Sequence, residues 1–333
     1  MKHHPAGRAC TLPRRAAATL ALILAASAAS AFDLQGHRGA RGLAPENTLA
    51  AFELALNLGV DTLESDLAVT RDGVLVLAHD PQVNPDLARL DGRWIEAPGP
   101  AIHGLSLAEL KRYDIGRLKP DTPYARQWPQ QRPADGQRYP TLTELAALVR
   151  TAGRPVRLNL ETKIRPDSGA ATPDPETFAR LVAEALEREG LAAATTIQSF
   201  DWRTLVALRR LAPAVETVCL SIVSPNMDTV SAEASGASPW HAGLTEREHG
   251  SVPRRAKAAG CAVWSPQWRN LDAASLAEAH ALGLRVIPWT VNEPAEMERL
   301  LALGVDGLIT DYPDRAAVLK SRRSKASRQG APV

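Results

Sequence analysis

The sequence predicts a (β/α)₈ TIM barrel with an inserted subdomain after the second barrel strand. Short apolar segments alternate with longer helical patterns from Asp33 to the C-terminal region. There are eight of the short segments, and one interval between them, Val69–Pro155, is far longer than the rest. Alternating strands and helices imply a parallel sheet covered by helices. Eight such units imply closure into a barrel rather than an open sheet.

The predicted strands are Asp33–Arg38, Thr62–Ala68, Val156–Thr162, Thr195–Ser199, Glu216–Ser221, Ala262–Pro266, Arg285–Thr290 and Gly307–Thr310. Between them helices are predicted at Thr48–Leu58, Leu142–Thr151, Glu176–Glu189, Trp202–Leu211, Val252–Ala259, Leu271–Leu282 and Pro294–Leu303, with a last one from near Arg315. Asp201 or Ser199 can cap the helix at Trp202, Pro294 opens another, and Gly59, Gly190, Gly260, Gly283 and Gly304 follow helix ends. The long interval begins with an Arg71-Asp72-Gly73 turn and a strand-like Val74–Ala78. A Pro- and Gly-rich stretch, about Pro81 to Pro140, follows. A structureless loop of that length is uncommon inside a compact domain, so the stretch is expected to be a subdomain over the barrel mouth. Ile222–Gly250 reads as a long loop after the fifth strand, and Ser321–Val333 as a disordered tail.

Composition narrows the class. With 45% hydrophobic and 23% charged residues the chain is globular. Residues 1–31 read as a secretory signal: Arg14-Arg15, an apolar run from Ala16 to Ala26, then Ala29-Ser30-Ala31 before Phe32. That run is too short to span a bilayer, so the mature chain, 32–320 with its tail, is expected to be exported, periplasmic or extracellular, without a membrane span. Without the four basic residues of this leader, 35 basic residues face 37 acidic ones. A near-neutral chain gives no ground to expect a nucleic acid partner. Cys219 and Cys261 remain; an oxidising compartment permits a bridge, while strand positions also suit buried free thiols. Nothing in the sequence specifies an oligomeric state.

In a barrel of this kind, polar residues at the carboxyl ends of strands form the site. His37-Arg38-Gly39 ends the first strand, Glu64 and Asp66 lie on the second, His79-Asp80 ends the hairpin strand, and Glu161 and Lys163 lie on the third. Gln198, Trp289 and Asp311 follow at later strand ends. Residues two apart in a strand share a face, so Glu64 pairs with Asp66 and Glu161 with Lys163. Carboxylates crowded in a cleft repel one another unless a cation joins them. Oxygen ligands suit a hard ion, Mg²⁺ or Ca²⁺, better than zinc. His37 and His79 are the candidate acid–base pair, because imidazole titrates near working pH. Arg38 and Lys163 can hold phosphate oxygens.

Gly36-His37-Arg38-Gly39-Ala40-Arg41-Gly42 with Pro45-Glu46-Asn47-Thr48 resembles the opening motif of the glycerophosphodiester phosphodiesterase family. Glu64-Ser65-Asp66, Asp72-Gly73, His79-Asp80 and Leu158-Asn159-Leu160-Glu161-Thr162-Lys163 continue the resemblance in order. Ile197-Gln198-Ser199-Phe200, Trp289-Thr290-Val291-Asn292 and Thr310-Asp311-Tyr312-Pro313 extend it across nearly the whole mature chain. The resemblance implies His37 and His79 as acid and base, and Glu64, Asp66 and Glu161 as ligands of one divalent cation. It implies Arg38 and Lys163 as phosphate contacts, Trp289 as a wall for the glycerol moiety, and Glu46 and Gln198 in support. The expected reaction is hydrolysis of a small-molecule glycerophosphodiester to an alcohol and glycerol 3-phosphate. Pro81–Asp86 departs from the commoner family pattern, which bears on substrate selection. A lysophospholipase D-like activity at the same site is the alternative; a non-catalytic solute-binding barrel has no need of two histidines, and a zinc amidohydrolase would want His-x-His on the first strand.

Overall fold

The computed structural model describes Met1 and residues 32–231 and 236–328. Eight parallel strands form a barrel: β1 (Asp33–Gly36), β2 (Thr62–Val69), β3 (Arg157–Thr162), β4 (Thr195–Ser199), β5 (Glu216–Ser221), β6 (Val263–Pro266), β7 (Arg285–Val286) and β8 (Gly307–Thr310). Each pairs in parallel with its predecessor through β7, and β8 pairs with β1. The gap between β7 and β8 is bridged by Asp306 N–H to Val286 O at 2.9 Å, Ile309 N–H to Pro288 O at 3.1 Å and Val291 N–H to Ile309 O at 2.9 Å. The seventh strand was expected to reach Thr290; its regular ladder is shorter because Pro288 has no N–H to give.

The two-residue side-chain period sorts each strand. Outward residues such as Leu34, Leu63, Leu158, Ile197 and Leu308 are buried with the helices in one large core. The interior is divided. Gln35, Glu64, Asn159 and Gln198 make the β1–β4 half polar, whereas Val218, Val263, Ile287 and Ile309 make an apolar cluster on the other half. Polar chemistry is thereby confined to one side of the barrel axis.

The surrounding helices are α1 (Leu49–Asn57), α2 (Leu142–Arg150), α3 (Pro175–Glu189), α4 (Trp202–Leu211), α5 (Val252–Ala259), α6 (Ala273–Ala281), α7 (Pro294–Leu303) and α8 (Pro313–Arg328). Thr48, Thr141, Asp174, Asp201, Ser251 and Asp272 cap α1 to α6 with their side chains. The tail was expected to be disordered from Ser321, but α8 continues to Arg328; this stretch lacks the Gly and Pro that stop helices until Gly330. Apart from Met1, the expected leader lies outside the described residues.

The long interval after β2 holds a small structure of its own. Leu75–Leu77 returns antiparallel along β2. Arg89–Leu90 then pairs with Arg93–Trp94 and Tyr113–Asp114. Val76, Val83, Ile102, Leu110, Ile115 and Tyr139 bury a second core against Ala68. In the segment after β5, Val223–Ser224 and Met227–Asp228 form a short hairpin and Glu246–His249 a helical turn. Cys219 of β5 and Cys261 before β6 form a disulfide, with Cα atoms 5.9 Å apart.

Candidate active site

The turn after β1 is held tightly against α1. Gly39 has φ +82°, and a Cβ there would lie 2.7 Å from the Ala51 carbonyl carbon, so no larger residue fits. Arg38 and Asn47 are also left-handed, at φ 48° and 54°, a conformation that costs a non-glycine residue on the order of 1 kcal/mol or more. Both are fixed by polar contacts. Arg38 N–H donates to Glu64 Oε2 at 2.8 Å, and Nη1 donates to Glu46 Oε1 at 2.7 Å. Asn47 donates to Asp66 Oδ2 and accepts from the Ser65 hydroxyl, both at 2.9 Å. The PENT segment therefore braces the acids of β2.

Glu64, Asp66 and Glu161 are buried, and each offers an oxygen within 4.8 Å of the other two. The β2–β3 register places Asp66 directly opposite Glu161. Burial and the neighbouring Asp66 push Glu64 well above its usual value of 4.5. Burial raises Glu161 too, against the pull of Lys163. Burial alone would raise Asp66, but Arg38 and Lys163 hold it below 3.8. Asp66 Oδ1 is buried without a hydrogen-bond donor. Three clustered carboxylates with an orphaned oxygen are a donor set that suits a hard divalent cation.

Both histidines line one cavity, of about 120 Å³, with Glu64 and Glu161 of this cluster, together with Arg38, Arg41, Lys163, Gln198 and Trp289. His37 Nδ1 is 2.6 Å from Asp311 Oδ1, leaving Nε2 on the side of Glu64, 3.9 Å from Oε2. His79 Nδ1 is 2.8 Å from Asp80 Oδ1, and Asp80 in turn accepts from Asn84 at 2.7 Å. Each imidazole is thus backed by a carboxylate at Nδ1, which fixes its tautomer and frees Nε2 for the cavity. Burial lowers His37 below 6.5, with Asp311 opposing. Loss of solvent, then Arg38 and Lys163, lower His79 further. Both shifts favour the neutral imidazole.

Lys163 Nζ lies 2.8 Å from Glu161 Oε1 and 3.6 Å from Asp66 Oδ1. Gln198 Nε2 donates to Glu64 Oε1 at 2.7 Å. The Trp289 indole N–H donates to Ser265 O at 2.9 Å, and its ring meets Phe200 edge-on at 5.3 Å. Past His79, Glu161 and Lys163 the cavity opens into a second chamber of about 330 Å³ walled by Phe200, Ile222, Met227, Trp240 and Trp289.

A model of the glycerophosphoryl diester phosphodiesterase family matches residues 37–315. The chain belongs to that family. Its activity is the hydrolysis of glycerophosphodiesters, a phosphoric diester hydrolase reaction. Glycerophosphodiester phosphodiesterases of Caldanaerobacter subterraneus and Bacillus subtilis are 28% and 29% identical; the matches cover 84% of this chain in each case, and 93% and 83% of the relatives. A solved Silicibacter pomeroyi structure, provisionally named a glycerophosphoryl diester phosphodiesterase, is 34% identical with a TM-score of 0.76, covering 91% of this chain and 95% of that one. An Oleispira antarctica phosphodiesterase, solved in complex with the product sn-glycerol-3-phosphate, shares the fold at 24% identity and a TM-score of 0.61, over 86% of this chain and 96% of that one.

Within this family frame the ten residues singled out from sequence lie together. Glu46 and Asp66 lie outside the cavity wall; Glu46 reaches the site through Arg38, and Asp66 through Arg38 and the other two acids. Four contributors were not assigned roles. Asp311 was noted at a strand end without a role and Arg41 only as a letter in a motif; Asp311 accepts from Arg41 Nε at 2.8 Å as well as facing His37. Asn47 needed the left-handed turn to be seen. Tyr124, which donates to Glu46, comes from the insertion at a distance no spacing rule reaches. Arg41 also lies over the Trp128 ring at 4.2 Å, so the insertion clamps the turn that carries His37.

Proposed function

We propose that the chain cleaves glycerophosphodiesters to an alcohol and glycerol 3-phosphate with His37 and His79 as the proton-transfer pair. One takes the proton from the attacking oxygen as the phosphorus–oxygen bond to the alcohol breaks, and the other protonates the departing alkoxide. Glu64, Asp66 and Glu161 hold one divalent cation, Mg²⁺ or Ca²⁺. Such a cation, when bound, polarises the phosphoryl group and stabilises its added charge. Arg38 and Lys163 orient the non-bridging oxygens, and Trp289 walls the glycerol moiety. The observation that carries this reading is the pair of carboxylate-backed imidazoles facing one cavity with Glu64 and Glu161, whose oxygens cluster with those of Asp66.

A glycerophosphodiester panel, assayed with chelator and after addition of each metal, tests it. His37→Ala and His79→Ala are expected to abolish turnover in folded protein; near-normal turnover in either removes the assigned roles. The apolar second chamber supports a second reading, lysophospholipase D-like hydrolysis of lysophospholipids. Comparing a long-chain lysolipid with its deacylated ester separates the two. The Cys219–Cys261 bridge supports export, since such bonds persist in oxidising compartments.

A further inference from the structure

A line of buried amides runs along the barrel interior beneath the acidic cluster. Gln35 Nε2 donates to Asp33 Oδ2 at 2.9 Å. Asn159 Nδ2 donates to Gln35 Oε1 and to Gln198 Oε1, each at 2.9 Å. Gln198 Nε2 donates to Glu64 Oε1 at 2.7 Å. Thr196 Oγ1 donates to Asn159 Oδ1 at 2.9 Å. All three amide residues are buried.

The two ends dictate the middle. Asp33 takes the Gln35 nitrogen, and a Glu64 that holds a cation is ionised and only accepts, so Gln198 turns its nitrogen to it. Both glutamine oxygens then face position 159. That residue must supply two donors from one atom and still accept from Thr196. An asparagine does this; Asp, Ser and Thr cannot. Were Asn159 absent, Gln198 Oε1 would be buried without its donor, and the amide could turn away from Glu64 to find another.

We propose that Asn159 is a positioning residue for cation binding: by spending both amide hydrogens it locks Gln198 so that nitrogen, not oxygen, meets Glu64. With Gln198 on Oε1 and the Arg38 N–H on Oε2, the Glu64 carboxylate is fixed in the plane that serves the cluster. The inference rests on reading Glu64, Asp66 and Glu161 as a cation site. It concerns an interior residue that touches neither the cation nor the substrate.

The test is a double-mutant cycle read by calorimetric titration of Mg²⁺ or Ca²⁺ alone into the purified chain. Asn159→Leu and Gln198→Leu are each expected to weaken cation affinity by about 10- to 100-fold, as changes behind ligands do. The double variant is expected to stay within about threefold of Gln198→Leu, because Asn159 acts only through that residue. Two losses that multiply, or an unchanged affinity in Asn159→Leu, overturn the proposal. Thr196→Val, which exchanges a hydroxyl for a methyl, carries the test if the leucine variants do not fold. It is expected to weaken binding several-fold, and unaltered affinity overturns the proposal there. No cation binding by the unaltered chain would instead sink the metal reading itself, and the relay with it.

Discussion

Asp311→Asn probes how the site holds its first histidine. Four donors converge on this fully buried carboxylate: His37 Nδ1 at 2.6 Å, Arg41 Nε at 2.8 Å, Arg41 Nη2 at 3.2 Å and Asn292 Nδ2 at 2.7 Å. Burial alone would raise Asp311, but Arg41 and His37 hold it far below the usual carboxylate range. Asparagine keeps the shape but offers one acceptor oxygen and one NH₂. If the NH₂ faces His37, Nδ1 must accept and the ring proton moves to Nε2; the ring then cannot take a proton there as a base, and without a carboxylate at Nδ1 it is a poorer imidazolium acid. If it faces the other way, it opposes the donors of Arg41 and Asn292. Each charge-assisted hydrogen bond lost is about 1.5–3 kcal/mol. A misplaced proton-transfer group costs about 10²- to 10⁴-fold in rate. The expected outcome is a kcat lower by about 10²- to 10⁴-fold, with KM within about threefold, measured by release of glycerol 3-phosphate. Arg41 loses its counter-charge, so Tm should also fall, by several degrees. A folded Asp311→Asn enzyme with kcat within tenfold of the parent would refute the tautomer argument.

Three further outcomes follow from the frame around the site. The Cys219–Cys261 bridge closes a loop of 42 residues, for which chain entropy gives about 4 kcal/mol as an upper figure. The Cys219→Ala/Cys261→Ala variant should melt on the order of 10 °C lower, and an unchanged Tm would show the bridge to be thermodynamically idle. Gly39→Ala should cost about 2–3 kcal/mol in denaturant unfolding, since its methyl meets the backbone of α1; a loss under about 0.5 kcal/mol would mean the turn can move aside. His241 is buried, stacked on Trp202 at 3.8 Å and beside Arg255; burial, then that guanidinium, lower it to about 3. The unfolded chain takes up a proton below pH 6.5 that the native ring refuses, so this residue's contribution is lost as pH falls from about 6.5 to about 3. His241→Phe should flatten that acid limb, and an identical limb in the variant would assign it elsewhere.

Much of the architecture was legible because barrel strands and helices obey short-range rules. The eight apolar runs, the cap at Asp201, the helix-opening Pro294 and the glycines after helices all depend on neighbours in sequence. The site was legible to the extent that the two-residue strand period put Glu64 with Asp66, and Glu161 with Lys163, on the cavity side. What stayed hidden depends on contacts far apart in the chain. Asp311 is 274 residues from His37, and Tyr124 is 78 from Glu46. Asn159 sat inside a motif as an unremarked letter, because its meaning lies in the polarity of amides contributed by two other strands. The misread tail has a different cause: Ser, Lys and Arg look like a solvated end, yet they also sustain a helix once α8 is under way.

Charge balance supplies one more consequence. Five buried carboxylates, Glu46, Glu64, Asp66, Glu161 and Asp311, face three cations, Arg38, Arg41 and Lys163, a formal excess of two negative charges. Such an excess is costly in a poorly solvated cleft. Burial and Asp66 push Glu64 well above 4.5, so a proton held there is one way the excess is relieved. A divalent cation would relieve it fully, so binding must displace that proton. Below the raised Glu64 value, titration with Mg²⁺ or Ca²⁺ should therefore release protons, and affinity should strengthen as pH rises through that window and then level off. Calorimetry in two buffers of different ionisation enthalpy measures the release directly. Binding heats independent of buffer, with an affinity flat across the acid range, would mean that the excess charge is balanced in some other way.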